Sequence, residues 1–172
     1  MKLKLVPSPE NNARNRRLGQ IGESLAMQKL IDAGFRNVKN LNDLKNNYEF
    51  ADIYAEKSGK NYVISVKTRR KFERLGGLNA KYNLGKEWKK TSAAAAKALT
   101  AIPAWIAIQV DGPTYSLYFG LLSLITESNG IPMESEALTF YECLAKDEKH
   151  NYPEDSFTPR YQRTAVGVGT DT

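Results

Sequence analysis

Cysteine and histidine are nearly absent from this sequence. Its 172 residues include one cysteine, Cys143, and one histidine, His150. No internal disulfide can form, which fits a reducing compartment. The shortage also excludes a Cys/His zinc cage and argues against a Ser-His or Cys-His nucleophile. Acid-base or metal chemistry must therefore rest mainly on Asp, Glu, Lys and Tyr.

Long apolar runs and a surplus of acidic residues are missing as well. No apolar segment is long enough to span a bilayer, and the first seven residues lack the apolar core of a signal peptide. We therefore expect a cytoplasmic protein with no membrane attachment. Lysine and arginine total 25 against 19 acidic residues, a formal net charge of +6. This balance favours polyanionic partners, nucleic acid before an acidic membrane surface.

The chain is long enough for one domain with a proper core. Residues 1–13 are polar and interrupted by proline, and the chain from residue 146 is polar again, with a Gly/Thr end. We therefore predict an irregular N-terminal arm over 1–13, a single domain over 14–145 and a polar tail over 146–172.

Apolar spacing indicates the order of elements within the domain. A 3.6-residue period over 14–33, closed by Gly34, predicts a helix, and an alanine-rich stretch over 86–101 predicts another. The predicted strands are three extended segments before the second helix and two after it; a further short helix is expected within 134–145. The order α-β-β-β-α-β-β predicts an α/β (α+β) fold, a mixed sheet flanked by helices.

The central segment is residues 61–70, a short strand that ends in a cluster of positive charge. Strand alternation places Ser65 and Lys67 on one face. Asp52 lies in the preceding strand candidate, residues 48–55, and residues 58–60 indicate a hairpin turn between the two. The hairpin would bring Asp52 close to Lys67, and such a pair could bind a divalent metal and a phosphate.

Two glycines interrupt the first predicted helix. Gly19 and Gly22 each cost roughly 1 kcal/mol relative to alanine, so they suggest close approach by another backbone or a ligand. Glu23 follows directly. From its position alone, a solvated helix carboxylate is the favoured interpretation.

A basic segment follows the central strand. Residues 68–74 carry a run of positive charge, and the glycine-containing loop after them includes Lys81 and Tyr82. Such a loop could wrap a phosphate backbone and stack on a base, although a mobile surface loop explains it equally well. The predicted nucleic-acid contacts are Arg69, Arg70, Lys71, Arg74, Lys81, Tyr82, Lys86, Lys89 and Lys90.

Residues 14 to about 122 resemble the PD-(D/E)XK nuclease superfamily, which has the restriction-endonuclease-like fold and includes a Holliday-junction-resolvase-like branch. Residues 19–26 resemble its first helix, where a glutamate follows a glycine, residues 49–53 the strand with the metal-binding aspartate, and residues 64–69 the (E/Q)-x-K strand. The resemblance implies a Mg²⁺-dependent (or Mn²⁺-dependent) DNA endonuclease. Its catalytic residues would be Glu23, Asp52, Ser65 and Lys67.

This chain departs from the family pattern at Ser65, where a glutamate or glutamine is expected. A hydroxyl is a much poorer magnesium ligand than a carboxylate. The missing carboxylate could come from the next helix, which makes the metal set Glu23, Asp52 and Glu87. Otherwise the protein would be a degenerate nuclease that only binds DNA. A protein-interaction domain is a third hypothesis.

The resemblance also implies a different role for each of these residues. The carboxylates would hold Mg²⁺, Lys67 would orient the attacking water or neutralise the phosphate, and Glu23 would bind a second metal or its water. Duplex or branched DNA is the expected partner. Cutting both strands usually calls for two active sites, which favours a homodimer.

Overall fold

A computed structural model of the protein describes residues 9–43, 48–73, 75–126 and 129–153. The α-helices of this part are α1 (Pro9–Asp32), α2 (Trp88–Leu99) and α3 (Ser135–Leu138). Its strands are β1 (Arg36–Asn40), β2 (Ile53–Lys57), β3 (Lys60–Arg70), β4 (Lys81–Asn83), β5 (Ile102–Asp111), β6 (Thr114–Leu121), β7 (Gly130–Pro132) and β8 (Glu142–Lys149). No helix among these residues is long and apolar enough to cross a bilayer.

Six strands form one mixed sheet in the order β1-β2-β3-β5-β6-β8. β3 and β5 run parallel, and α2 connects them, whereas the other neighbours are antiparallel. β4 and β7 form a separate antiparallel pair. The predicted fold class, a mixed sheet flanked by helices, is confirmed.

The sheet separates two apolar clusters. One contains α1 residues together with Ile64 and Ile106, and the other contains α2 residues together with Val63 and Trp105. Successive residues of β3 therefore contribute to opposite layers, as the alternation predicted. Because α1 and α2 lie on opposite sides, a site that uses both helices would have to form at an edge or end of the sheet.

The hairpin between β2 and β3 positions the candidate acid. Its two-residue turn, Ser58 and Gly59, has φ of 53° and 74°, which is the backbone that two-residue hairpins favour. The register pairs Ile53 with Ile64. Asp52 therefore stands just before the first paired residue of β2, and its N–H donates to the carbonyl of Ile64 at 2.9 Å.

The predicted end of the first helix is also observed. Gly34 has φ of +90° and donates its N–H to Ile31 O, and Phe35 donates to Leu30 O, both at 3.0 Å. These two bonds satisfy carbonyl groups at the end of α1 and turn the chain into β1.

Two boundaries differ from the sequence-based expectation. α1 begins at Pro9, so residues 9–13 of the expected irregular arm are helical; proline is compatible with the first turn because its missing N–H would be unpaired there. β8 covers residues 142–149, where the end of a short helix and the start of a polar tail were expected. Pairing with the sheet edge at β6 outweighs the weak local pattern. Residues 1–8 and 154–172 lie outside the described part.

Candidate functional site

Asp52 is fixed by backbone contacts on both sides. Leu41 N–H donates to its carbonyl oxygen at 2.8 Å, and Val66 N–H donates to its Oδ2 at 2.7 Å. Burial raises the pKa of Asp52 above its ordinary value, while the bond from Val66 and the charge of Lys67 oppose that rise. One carboxylate oxygen is thus anchored to β3 and the other is left for a different partner.

Gly22 lets α1 approach β3 closely enough to deliver Glu23. A Cβ atom at Gly22 would lie 1.8 Å from Thr68 Oγ1, a distance that no side chain tolerates. The predicted close approach is therefore observed at Gly22, and the neighbour is a strand side chain. Among the described residues, nothing lies within 4 Å of a Cβ built at Gly19, so that glycine has no such constraint there.

Glu23 lies beside Asp52. Its pKa is raised, first by burial and then by the negative charge of Asp52. Glu23 is therefore not the fully solvated carboxylate favoured from its helical position alone. A cation bound between the two carboxylates would offset this unfavourable burial and charge at Glu23.

Two asparagines donate to the carboxylates, and Asn42 connects them. Asn40 Nδ2 donates to Glu23 Oε2 at 3.1 Å, and Asn42 Nδ2 donates to Glu23 Oε1 at 2.9 Å and to Asp52 Oδ1 at 3.4 Å. Sequence reasoning missed both residues because they lie in a polar segment rich in turn formers. The only available signal was their spacing of two at the end of a strand, since Asn40 is the last residue of β1.

Lys67 completes the grouping at the end of β3. Burial lowers its pKa, the charge of Asp52 opposes that effect and the charge of Arg69 adds to it. A cleft of about 450 Å³ opens here between α1 and β3, and its lining includes Gly19, Lys67 and Arg69. Asp52 thus interacts with Glu23 through Asn42 and with Lys67 through its charge, and Lys67 lines the cleft together with Arg69.

Ser65 and Glu87 are the remaining predicted members of the site. Ser65 is 2% exposed and pairs in register with Trp105. Glu87 is exposed and precedes α2, whose first residue, Trp88, is anchored in the cluster on the α2 side. Within the described ranges, no three Asp, Glu, His or Cys side chains come together as a metal-ligand set. In this part of the chain the structure therefore does not join Glu87 to Glu23 and Asp52 as a third carboxylate.

The residues predicted to contact nucleic acid differ in how far their side chains are exposed to solvent. Arg70 and Lys71 are half-buried, and Lys71 lies 3.9 Å from Asp111. Arg74 lies outside the described residues. The exposed members are Arg69, Lys81, Lys86, Lys89 and Lys90.

The prediction that Tyr82 contacts nucleic acid is wrong. Its side chain is fully buried in the α2-side cluster, because β4 pairs with β7 and carries it into the core. Burial raises the pKa of its hydroxyl well above the ordinary range. Tyr82 is therefore a core residue and is not accessible for stacking on a base.

The donor set of the carboxylate pair fits a hard cation. Mg²⁺ prefers oxygen ligands, keeps several waters, and is commonly held by one or two carboxylates together with substrate phosphates. Glu23 and Asp52 supply two such carboxylates at one point, and each has a pKa raised by burial. A bound cation would offset the cost of keeping both ionised.

Comparisons with known proteins bear on the fold. No protein-family model matches the chain, and no curated protein matches it. Among solved structures, it is similar to Hjc, a Holliday junction resolvase from the archaeal hyperthermophile Archaeoglobus fulgidus. The TM-score is 0.53 and the sequence identity 17%, over 72% of this chain and 93% of the resolvase. At this identity the likeness concerns the fold, and the chain therefore has a resolvase-like, restriction-endonuclease-like fold.

Proposed function

We propose that the protein is a Mg²⁺-dependent endonuclease, also served by Mn²⁺, that hydrolyses DNA phosphodiester bonds. The observation that carries the proposal is the convergence of Glu23 and Asp52 beside Lys67, next to a cleft at the end of β3. The fold and the net charge of +6 support it.

Glu23 and Asp52 would hold the cation. A divalent cation on this pair would lower the pKa of a bound water and so supply a more reactive nucleophile. Asp52 is the more tightly positioned of the two, because its backbone and one carboxylate oxygen are fixed by Leu41 and Val66. Glu23 depends on the docking of α1.

Lys67 would act on the phosphate or on the attacking water. A lysine ammonium can stabilise the negative charge that builds on a phosphoryl oxygen in the transition state. Burial strengthens that effect, because the surrounding dielectric is lower than in water. The lowered pKa of Lys67 also makes proton exchange with a water easier than for an exposed lysine.

Branched DNA is the first substrate to test, because the similar structure is a Holliday junction resolvase. Arg69, which is exposed and lines the cleft, would contact the phosphate backbone. We further propose a homodimer, since resolving or cutting both strands usually needs two active sites. A cytoplasmic location fits the single cysteine.

A second candidate function is DNA binding without cleavage on the same fold. The observation that favours it is Ser65, a buried hydroxyl where the family pattern has a carboxylate or amide. Such a module would bind DNA in a salt-dependent manner and would not cut it at any metal concentration.

The test is cleavage of a four-way DNA junction and a matched duplex in Mg²⁺ and in Mn²⁺. We expect Asp52→Asn and Lys67→Gln each to lower the cleavage rate by roughly 10²-fold or more, as removing one transition-state group does in other enzymes. Lys60→Gln, at the exposed first residue of β3, is the matched control for loss of one positive charge. Variants that cut as fast as wild type would show that the site is wrong. Binding without cleavage by wild type would favour the second function.

A further inference from the structure

We propose that Asn42 is a third oxygen ligand of the cation held by Glu23 and Asp52, and that it takes over the role of the carboxylate missing at Ser65. This inference rests on the proposed function, because it requires that the carboxylate pair binds a divalent cation. It assigns to this chain a metal ligand that neither the sequence pattern nor the fold indicates.

The carboxylate contacts converge on Asn42. Asp52 Oδ2 is engaged by Val66 N–H at 2.7 Å, and Glu23 Oε2 by Asn40 Nδ2 at 3.1 Å. The remaining oxygens, Asp52 Oδ1 and Glu23 Oε1, both accept from Asn42 Nδ2, at 3.4 and 2.9 Å. The Asn42 amide therefore lies where a cation bridging the two carboxylates would lie.

An asparagine amide can change from donor to ligand by one rotation. Its NH₂ group donates to the carboxylates, and its carbonyl oxygen lies on the opposite arm of the same planar group. The terminal torsion of asparagine is broad and roughly two-fold, so the exchange of the two arms needs no backbone movement. Asparagine carbonyl oxygens are ordinary ligands of hard cations. When the cation is present, Oδ1 is the arm that its charge attracts.

The segment that carries Asn42 is already fixed to Asp52. Asn42 N–H donates to Asn40 Oδ1 at 2.9 Å, and Leu41 N–H donates to the Asp52 carbonyl at 2.8 Å. The Leu41 side chain is 2% exposed and anchors the segment in the core. Little backbone entropy would therefore be lost on binding, which favours ligation by a neutral side chain.

The experiment measures Mn²⁺ affinity of the full-length protein without DNA, by electron paramagnetic resonance of free Mn²⁺. We expect Asn42→Ala to weaken binding roughly tenfold, within the range seen when groups around a metal are removed. Asn42→Asp should tighten it, because a carboxylate replaces a neutral amide at the same point. Asn61→Ala is the matched control, since Asn61 Nδ2 contacts Thr100 O at the other end of β3; it should bind as wild type does.

Three results would overturn the inference, and they differ from one another. If Asp52→Asn binds Mn²⁺ as wild type does, the metal pair of the proposed function fails together with the inference. If Asp52→Asn loses affinity but Asn42→Ala keeps it, only the assignment of Asn42 fails. If Glu87→Ala loses affinity, the third ligand is Glu87, as the sequence predicted. Should Asn42→Ala not fold, unchanged affinity in Asn42→Asp would contradict the inference instead.

Discussion

At the scale of single residues, placing Glu23 beside Asp52 lowers the stability of the folded protein when both carboxyl groups are ionised. The pKa of Glu23 is raised from an ordinary value of 4.5, by burial first and by the charge of Asp52 second. A raised pKa means that the folded protein favours the protonated form. The stabilising contribution of Glu23 is therefore complete below its unfolded pKa and is lost as the pH rises through its folded pKa.

Glu23→Gln should consequently raise the melting temperature at neutral pH. The gain should shrink as the pH falls and disappear below about 4.5, the ordinary pKa at which the wild-type carboxylate becomes protonated in the unfolded chain. Thermal unfolding followed by circular dichroism across this range measures it. Glu87→Gln, at an exposed position, should show no such gain. A lower melting temperature for Glu23→Gln at neutral pH would contradict the raised pKa.

At the scale of elements, Gly22 sets the distance between α1 and β3, and Gly19 provides the matched control on the same helix. Gly22→Ala should destabilise the protein by about 1–3 kcal/mol, the usual cost of overpacking, because the new Cβ would collide with Thr68 Oγ1. Gly19→Ala should instead stabilise it by up to about 1 kcal/mol through helix propensity. Urea denaturation measures both.

The Gly22→Ala and Gly19→Ala variants also distinguish an effect on the position of Glu23 from an effect on stability. If α1 must dock closely to deliver Glu23, Gly22→Ala should also weaken Mn²⁺ binding under conditions where the variant is fully folded, whereas Gly19→Ala should not. Equal stabilisation by the two substitutions would show that α1 moves away from β3 without cost. In that case the close approach would not be what holds Glu23 beside Asp52.

Elements with a strong local pattern could be predicted from the sequence, and elements that depend on distant partners could not. The β2–β3 hairpin is indicated by Ser58 and Gly59, which supply the positive φ that its turn needs. β8 is a charged edge strand of which Ala145 alone is buried, so it lacks an alternating pattern. Its pairing is provided by β6.

The residues of the candidate site likewise differ in whether the local sequence or a distant contact determines their position. Asp52 and Lys67 were predictable because the hairpin places them near one another in sequence and in space. Asn40 and Asn42 acquire their role only when α1 brings Glu23 against them, which is a tertiary contact. Tyr82 was misread because its strand has three residues and pairs with β7, far along the chain. A short segment of this kind has no periodicity from which burial could be inferred.

At the scale of the whole molecule, positive charge is distributed on many surfaces, and the proposed DNA interface would use only part of it. Arg69 is exposed at the end of β3 beside the cleft, with its Nη1 donating to the Thr68 carbonyl at 2.8 Å. Lys60 is exposed at the start of the same strand. The two positions are roughly 30 Å apart, from a rise of about 3.3 Å per strand residue. They therefore distinguish a local interface from a general attraction by net charge.

We expect Arg69→Gln to weaken binding to a four-way junction and to reduce the slope of log K against log salt by about 0.9, the value for one phosphate contact on duplex DNA. Lys60→Gln lowers the net charge equally and should leave both quantities unchanged. Fluorescence anisotropy over a salt series, with EDTA present to prevent cleavage, measures affinity and slope together. If both variants lose affinity to the same extent, binding follows net charge and the cleft is not the interface. If neither does, the DNA contacts lie elsewhere, and Lys81, Lys86, Lys89 and Lys90 are the exposed positions to test next.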